Sequence, residues 1–229
     1  MKLKRISSPG TWMVKRKHGK WITDPVSGFK RSESLPLTHV LQELGVCKTA
    51  REVKKLVSER KVLVDGRKVK SHKQGVGLFD VVSLIGEKTA WRLVYSSSQK
   101  LSFIECKDAD KIILRVENKK LLTKSKGFQL NLSGGFNIVS TKKNISPGDS
   151  VLVSIPDLKI VEHFKSSKGS LVYVVGGAHK GSLARVMGIK KFESSQPDIY
   201  TLKTKDSEFN TRKSSVYVIG SEKEAIALR

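Results

Sequence analysis

Basic side chains in one stretch of the chain have types and spacings that fit phosphate binding. Arg51, Lys54 and Lys55 recur at i, i+3 and i+4, so an α-helix would place them on one face. Arg67 and Lys68 follow directly after an Asp-Gly pair, which is typical of a tight hairpin turn. A basic helix face beside a basic turn forms a row of cations that can follow a phosphate backbone. The alternative interpretation is a solvated helix face with no binding role.

Two short helices and a strand-turn-strand unit are predicted to position these cations. Apolar residues recur at i, i+3, i+4 and i+7 from Leu37 to Leu44, which predicts a first helix. Ser34 is its expected N-cap and Gly45 its expected stop. Thr49 and Glu52 form a capping-box pattern that predicts the start of a second helix. A strand, the Asp-Gly turn and the start of another strand follow.

The charge of the whole chain points to a polyanionic partner. The formal net charge is +23 over 229 residues, and the basic excess is spread along the chain. Self-repulsion of that size is relieved by binding a polyanion, and nucleic acid is the leading candidate. A membrane surface is the alternative, but we find no basic amphipathic helix with bulky apolar anchors. Hydrophobic residues make up 38%, which favours several small modules over one large core.

Catalytic, metal and cofactor chemistry have little support in the sequence. Cys47 and Cys106 are the two cysteines, too few for a disulfide framework or a zinc site, which indicates a reducing compartment. The five histidines have no metal-ligand spacing. A glycine-rich loop at 176–181 has the glycine spacing of a P-loop, but Ser182 stands where that motif needs lysine. We therefore expect no catalytic residues, no metal and no cofactor, and we read three clustered acids (Glu105, Asp108 and Asp110) as exposed loop charge.

Targeting signals are also missing from the sequence pattern. No apolar run approaches the ~18 residues of a membrane span. The basic N-terminus has no apolar signal core, so we expect no export and no membrane partner.

Residues 1–36 are expected to form an extended basic arm that becomes ordered only on assembly. Its cations are interleaved with Trp12 and Trp21. Flat aromatic rings can stack on bases. They can equally dock on the protein's own next domain, and the sequence leaves both interpretations open.

The rest of the chain has the pattern of short β-strands. Apolar residues alternate with polar ones on both sides of Gly134-Gly135, a strong hairpin signal. Pro147-Gly148-Asp149 predicts another turn before a further alternating strand. A second β unit is predicted around the glycine-rich loop, with strands at 171–175 and 182–189. Many short strands at this spacing indicate small barrels or sandwiches.

Several sequence blocks carry a family resemblance that spans about residues 3–220. The run Lys4-Arg5-Ile6-Ser7-Ser8-Pro9-Gly10-Thr11-Trp12-Met13-Val14-Lys15-Arg16 is similar to the N-terminal signature of the S-four-e family of small-subunit ribosomal proteins from archaea and eukaryotes. Blocks at 34–37, 62–67 and 77–83 also resemble that family, which implies an alpha-L (S-four-type) RNA-binding domain. The loop at 176–181 resembles the KOW motif, an RNA-binding element on an Src-homology-three-like barrel, and implies RNA contacts at His179, Lys180 and Arg185, with Gly181 as its central glycine.

Together these observations predict an α+β, multi-module fold: a basic arm (1–36), a small helical and β alpha-L RNA-binding domain (37–90), two small β-barrel-like domains (91–165, and the KOW domain 166–220) and a tail (221–229). The resemblance implies a structural constituent of the cytoplasmic ribosome that binds and stabilises small-subunit ribosomal RNA, meets neighbouring ribosomal proteins, and has no small-molecule substrate. The alternatives are an RNA-modifying enzyme, such as a pseudouridine synthase, or a free translation factor. The predicted RNA-binding residues are Lys4, Arg5, Trp12, Lys15, Arg16, Lys17, Lys20, Trp21, Lys30, Arg31, Lys48, Arg51, Lys54, Lys55, Arg60, Lys61, Arg67, Lys68, His179, Lys180, Gly181 and Arg185.

Overall fold

The chain folds into two compact units, one ending at Ile112 and the other running from Ile113 to Leu228. The structure, a computed structural model, describes residues 3–87, 89–106, 108–122, 127–192, 196–204, 207–221 and 224–228. The first two residues of the predicted arm and residues 222, 223 and 229 of the predicted tail lie outside this set. Within the described residues, no helix is long and apolar enough to cross a membrane.

The first unit contains both α-helices of the described residues, α1 (Leu37–Glu43) and α2 (Ala50–Ser58). The helix stop is confirmed, because α1 ends just before Gly45, whose φ of 75° suits glycine. The predicted N-cap at Ser34 is wrong. Ser34 pairs with Gly77 in a short strand, and Pro36 occupies the N-cap position without a side-chain hydrogen bond.

The described strands of the first unit form three small sheets. The order in the largest is β5-β4-β7-β8-β9, and β1 pairs with β2 and β3 with β6, all antiparallel. The strands are β1 (Leu3–Lys4), β2 (Trp21–Ile22), β3 (Ser34–Pro36), β4 (Val62–Val64), β5 (Arg67–Lys68), β6 (Gly75–Gly77), β7 (Val81–Leu84), β8 (Ala90–Tyr95) and β9 (Leu101–Cys106).

In the part of the second unit that the structure describes, the strands form two five-stranded sheets, with orders β12-β11-β10-β13-β14 and β18-β17-β16-β15-β19. The hairpin at Gly134-Gly135 is confirmed, since β11 and β12 pair on either side of it. The strands are β10 (Lys111–Leu122), β11 (Gly127–Leu132), β12 (Asn137–Ser140), β13 (Ser150–Ser154), β14 (Lys159–Phe164), β15 (Leu171–Val174), β16 (Leu183–Lys190), β17 (Ile199–Lys203), β18 (Glu208–Arg212) and β19 (Val216–Gly220).

Short 3-10 turns link several of these strands. They span Arg5–Ser7, Arg31–Glu33, Ser133–Gly135 and Lys213–Ser215.

Each unit has its own apolar core, as expected when short elements bury one face each. The α+β class predicted from the sequence is confirmed. In the first unit, the core joins both helices to the sheet through residues such as Leu41, Val53 and Val82, all fully buried. In the second, the Ser150 hydroxyl accepts a hydrogen bond from the Val218 amide at 3.0 Å and ties the two sheets together.

The module boundaries predicted after residues 90 and 165 both fall inside these compact units. Strands β8 and β9 extend the sheet of the first unit beyond residue 90. Both five-stranded sheets lie in the second unit, on either side of residue 165. The division into separate modules stays a prediction.

Candidate nucleic-acid interface

Helix α2 is fixed at its start by the predicted capping box, which is confirmed. The Thr49 hydroxyl accepts a hydrogen bond from the Glu52 amide, and the Glu52 carboxylate accepts from the Thr49 amide, both at 3.3 Å. The carboxylate also accepts from the Lys48 amide at 2.8 Å. These hydrogen bonds lower the pKa of Glu52, and the bond from the Lys48 amide has the largest effect. The capping box therefore contains the ionised form of the Glu52 carboxylate.

The two faces of α2 differ as the periodicity predicts. Val53 and Val57 are buried against the unit, while Arg51, Lys54 and Lys55 are exposed. Burial of the apolar face therefore fixes the direction in which the cations project. We group the exposed cations of α2 (Arg51, Lys54 and Lys55) with those of the Asp-Gly turn in the same unit (Arg67 and Lys68) under one name, the α2 surface.

The Asp-Gly turn that carries the remaining cations of the α2 surface is a two-residue hairpin loop. Asp65 and Gly66 have φ values of 51° and 71°, as a type I′ turn requires. Val64 and Arg67 are directly opposite one another on β4 and β5. Arg67 and Lys68 are exposed on the outermost strand of this sheet.

A buried pair of carboxyl groups anchors that turn. The Asp65 carboxylate accepts a hydrogen bond from the Val81 amide at 2.9 Å, and Asp80 accepts from the Gly77 amide at 2.7 Å. Burial raises the pKa of Asp65 to about 6. Burial and the neighbouring charge of Asp65 raise the pKa of Asp80 well above its ordinary value. The two groups interact directly, so they hold a proton at a pH where isolated carboxyls are ionised.

Arg92 lies near this pair, on β8, and was not among the candidate residues named from the sequence. Its side chain is fully buried. Its guanidinium donates hydrogen bonds to the carbonyl oxygens of Asp108 and Lys111 at 2.7 and 2.8 Å. Its charge also favours the ionised form of Asp65. Arg92 therefore supports the turn from inside and is not a candidate for phosphate contact.

A loop after β5 brings further basic groups to α2. The pKa of His72 is lowered by burial and then by the charges of Lys54 and Lys73, so these three side chains lie close together. The His72 carbonyl accepts hydrogen bonds from the Thr38 hydroxyl at 2.8 Å and the Thr38 amide at 3.2 Å. Lys73 is thus a candidate that sequence reasoning missed, because only the fold brings this loop beside α2.

In the N-terminal segment, the expectation that Trp12 could stack on RNA bases is wrong, because its ring is buried. Only 3% of its surface is exposed, and its indole N–H donates to the Arg31 carbonyl at 3.1 Å. The carbonyl of the adjacent Thr11 accepts from the Leu101 amide at 2.7 Å. Trp12 is therefore docked on the protein's own first unit, which was the alternative interpretation. The N-terminal segment also packs on this unit, whereas an extended arm was expected.

Trp21 keeps its candidacy because 46% of its surface is exposed, with the Lys20 ammonium 5.4 Å from the ring centroid. Arg31 instead forms a bidentate pair with Asp24 at 2.9 and 3.0 Å, and Arg5 is half-buried. Lys61 lies 2.7 Å from Glu59. The other predicted cations of this unit are exposed, namely Lys4, Lys15, Arg16, Lys17, Lys20, Lys30, Lys48 and Arg60.

The glycine-rich loop of the second unit holds an aromatic pair. His179 stacks on Phe209 with ring centroids 4.0 Å apart. The Ser182 hydroxyl donates to the His179 carbonyl at 2.7 Å, and Gly181 has a φ of 82°. Strand β16, not a helix, follows the loop, so the exclusion of a P-loop is confirmed. Phe209 was not among the predicted residues, because its partner lies 30 positions away in sequence.

Arg185 does not join this pair. Phe209 is directly opposite Leu202, and Leu202 is directly opposite Val186. Successive side chains of a strand point to opposite faces, so Arg185 and Phe209 lie on different faces of the sheet. The structure thus separates the predicted contact residues of the second unit into His179 with Lys180 and Gly181 on one side and Arg185 on the other.

Among the described residues, no group of three or more His, Cys, Asp or Glu side chains could hold a metal ion. The clustered acids Glu105, Asp108 and Asp110 are exposed, as predicted, but Glu105 lies on β9 and not in a loop.

Comparison with known proteins gives consistent matches over the whole chain. Residues 87–160 match the model of ribosomal family S4e, and residues 35–82 match that of the S4 domain. The small ribosomal subunit protein eS4 of Methanococcus aeolicus is 37% identical over 99% of this chain and 96% of that protein. The eS4 protein of Methanocella arvoryzae is 35% identical over 98% of this chain and 96% of that protein.

A solved structure supports the same assignment. The crystal structure of the 30S ribosomal protein S4e from Thermoplasma acidophilum has a TM-score of 0.68 at 27% identity, covering 82% of this chain and 95% of that one. The KOW resemblance around the glycine-rich loop stays a prediction.

Proposed function

This chain belongs to the ribosomal S4e family, and on that premise we propose that it is a structural constituent of the small ribosomal subunit that binds and stabilises ribosomal RNA. The observation that carries the proposal is the α2 surface on the S4 domain. Its cations project from a helix with a completed capping box and from a turn anchored by a buried carboxyl pair.

Rigid positioning is what makes these cations useful for RNA. A flexible lysine loses conformational entropy when it is ordered against a phosphate. Here the backbone beneath Arg51, Lys54 and Arg67 is already ordered, so less entropy is lost on binding. Contacts of this kind fix the position of RNA without reading its sequence.

The role we propose is binding and not catalysis. The partners are small-subunit ribosomal RNA and neighbouring ribosomal proteins, and the place of action is the cytoplasmic ribosome. Of the predicted contacts in the first unit, we retain the exposed cations and Trp21, and we add Lys73. In the second unit we retain His179, Lys180, Gly181 and Arg185.

Charge reversal on α2 tests the proposal. We expect the triple variant Arg51→Glu, Lys54→Glu and Lys55→Glu to bind purified small-subunit ribosomal RNA at least about 100-fold more weakly at 0.15 M salt, because three neutralised phosphates are lost. The measurement is filter binding of the full chain across a salt series. A matched control with the same change in net charge is Lys100→Glu, Lys120→Glu and Lys142→Glu, three exposed lysines outside the α2 surface.

Equal losses in the two triple variants would show that only net charge matters, and would contradict a specific α2 surface. Binding by the unmodified chain that is no tighter to this RNA than to bulk transfer RNA would overturn the proposed function itself.

A further inference from the structure

Three neighbouring strands of the second unit carry a group of cations on the side that faces away from its core. On β16, β17 and β18, Val186, Leu202 and Phe209 are directly opposite one another, and the first two are buried. The rows on either side of this one in the register therefore face outward, and a β-bulge at Met187 keeps Gly188 opposite Thr201. We call the outward side the outer cationic face, and it comprises Arg185, Gly188, Lys190, Thr201, Lys203, Glu208, Asn210 and Arg212.

Cations stand at both ends of this face. Arg185 is directly opposite Lys203 at one end. At the other end, Lys190 and Arg212 flank Ile199 in the strand register. The two ends are four residue steps apart along β17, from Ile199 to Lys203, about 13 Å at the rise of an extended strand. All four cations are exposed.

The middle of the face is uncharged and mainly polar, and the bulge residue Met187 beside it is 45% exposed. Gly188, Thr201 and Asn210 are directly opposite one another, and the Thr201 hydroxyl donates to the Asn210 amide oxygen at 2.9 Å. No atom lies within 4 Å of the place where a side chain on Gly188 would begin. Glu208 is the one acid of the face, and its Oε1 lies 3.2 Å from Lys203 Nζ. The face therefore keeps an excess of positive charge.

Another sheet of the same unit lacks this arrangement. Lys120, Gln129 and Val139 are directly opposite one another on β10, β11 and β12. That row carries a single cation and an apolar side chain that is 63% exposed. The cations of the outer cationic face are thus not simply the average surface of a basic protein.

We propose that the outer cationic face binds double-stranded ribosomal RNA across its minor groove, an inference that rests on the proposed function. The minor groove of A-form RNA is wide and shallow, displays 2′-hydroxyl groups and is bordered by two rows of phosphates. The two ends of the face meet the phosphates, and Thr201 and Asn210 meet the 2′-hydroxyls between them. A protein partner would instead favour a predominantly apolar centre, whereas the central row here contains Thr201 and Asn210.

The test compares salt dependence of binding to a short RNA duplex, to its single strand and to the DNA duplex of the same sequence. We expect the full chain with Arg185→Gln and Arg212→Gln to show a slope of log affinity against log salt that is smaller by about 2 on the RNA duplex. At 0.15 M salt that corresponds to a loss of roughly 30-fold. The control pair Lys120→Gln and Lys142→Gln should stay within about twofold of the unmodified chain.

A charge-preserving pair, Arg185→Lys and Arg212→Lys, tests whether substitution at these positions disturbs the fold. It should keep the original slope. Thr201→Val should reduce the preference for RNA over DNA duplex. If the glutamine pair behaves like its control while the α2 triple variant loses ribosomal RNA binding, the inference is overturned and the proposed function stands.

Loss of subunit incorporation with normal RNA binding would assign the face to a protein neighbour and likewise overturn the inference. Absence of specific ribosomal RNA binding by the unmodified chain would overturn the proposed function and the inference together.

Discussion

At the scale of single residues, the most informative group is the buried set of Asp65, Asp80 and Arg92. Two carboxyls and one guanidinium are enclosed beneath an exposed basic turn. Each carboxyl accepts a backbone hydrogen bond, so the pair holds the backbone of the turn on which Arg67 is exposed. Removing one member leaves a buried charge or amide without its partner, which is costly.

This group predicts a specific pH dependence. The pKa of Asp65 is raised in the folded state to about 6, so the folded chain binds more protons than the unfolded chain above about pH 4. The free energy of unfolding therefore falls as pH rises from about 4 through 6, by on the order of 2 kcal/mol from this group. Asp65→Asn keeps a side-chain oxygen that can accept from the Val81 amide but removes the titrating carboxyl, and we expect it to flatten the dependence.

Denaturant titrations from pH 4 to pH 8 measure how the free energy of unfolding depends on pH. All three tryptophans of the chain, Trp12, Trp21 and Trp91, lie in the first unit, so their fluorescence follows its unfolding alone. A slope in Asp65→Asn as steep as that of the unmodified chain would show that Asp65 is not the group whose titration causes the dependence.

At the scale of elements, local signals were sufficient wherever a turn or cap decided the structure. The Thr49 capping box, the Asp65 turn and the Gly134-Gly135 hairpin all form as predicted, because their hydrogen bonds join residues close in sequence. Prediction failed where tertiary contacts decided. Ser34 lies in a strand because it pairs with Gly77, which is distant in sequence. Arg92 is buried because its guanidinium donates to the carbonyl oxygens of Asp108 and Lys111.

The candidate site was predictable to the same extent. The helical spacing of Arg51, Lys54 and Lys55 identified one face of α2. The proximity of Lys73 to Lys54 depends on how a loop returns to the helix, and no pattern in the sequence encodes it. The buried position of Trp12 likewise depends on contacts with residues far along the chain.

The capping box gives a prediction for α2 as an element. Thr49→Ala removes the side-chain acceptor for the Glu52 amide, and we expect a loss of about 1 kcal/mol in the stability of the first unit. Thr49→Ser keeps the hydroxyl and should retain most of that stability. Tryptophan fluorescence in a urea titration measures both variants, and equal stabilities for them would contradict a structural role for the cap.

The packing of the N-terminal segment against β6 gives a second element prediction. A methyl group on Gly77 would begin 2.0 Å from the ring of Phe29, so Gly77→Ala must displace that ring. We expect a loss of about 1–3 kcal/mol and faster tryptic cleavage between residues 15 and 31. Gly10→Ala is the control, because its nearest contact would be an ordinary 3.7 Å. Unchanged cleavage in Gly77→Ala would mean that Phe29 does not hold the segment.

At the scale of the whole molecule, a net charge of +23 is carried by two units that each present exposed cations. The first unit offers the α2 surface, and the second offers the outer cationic face and the loop at His179. A chain with this much self-repulsion gains from a partner that neutralises it. Membership of the S4e family identifies that partner as ribosomal RNA.

The most direct test of this account is sedimentation of the tagged chain from its own cells through a gradient, before and after a high-salt wash. The account predicts that the chain stays in the small-subunit peak after the wash, because many phosphate contacts are held at once inside the assembled particle. Migration at the top of the gradient would contradict the account and indicate a free factor or an RNA-modifying enzyme.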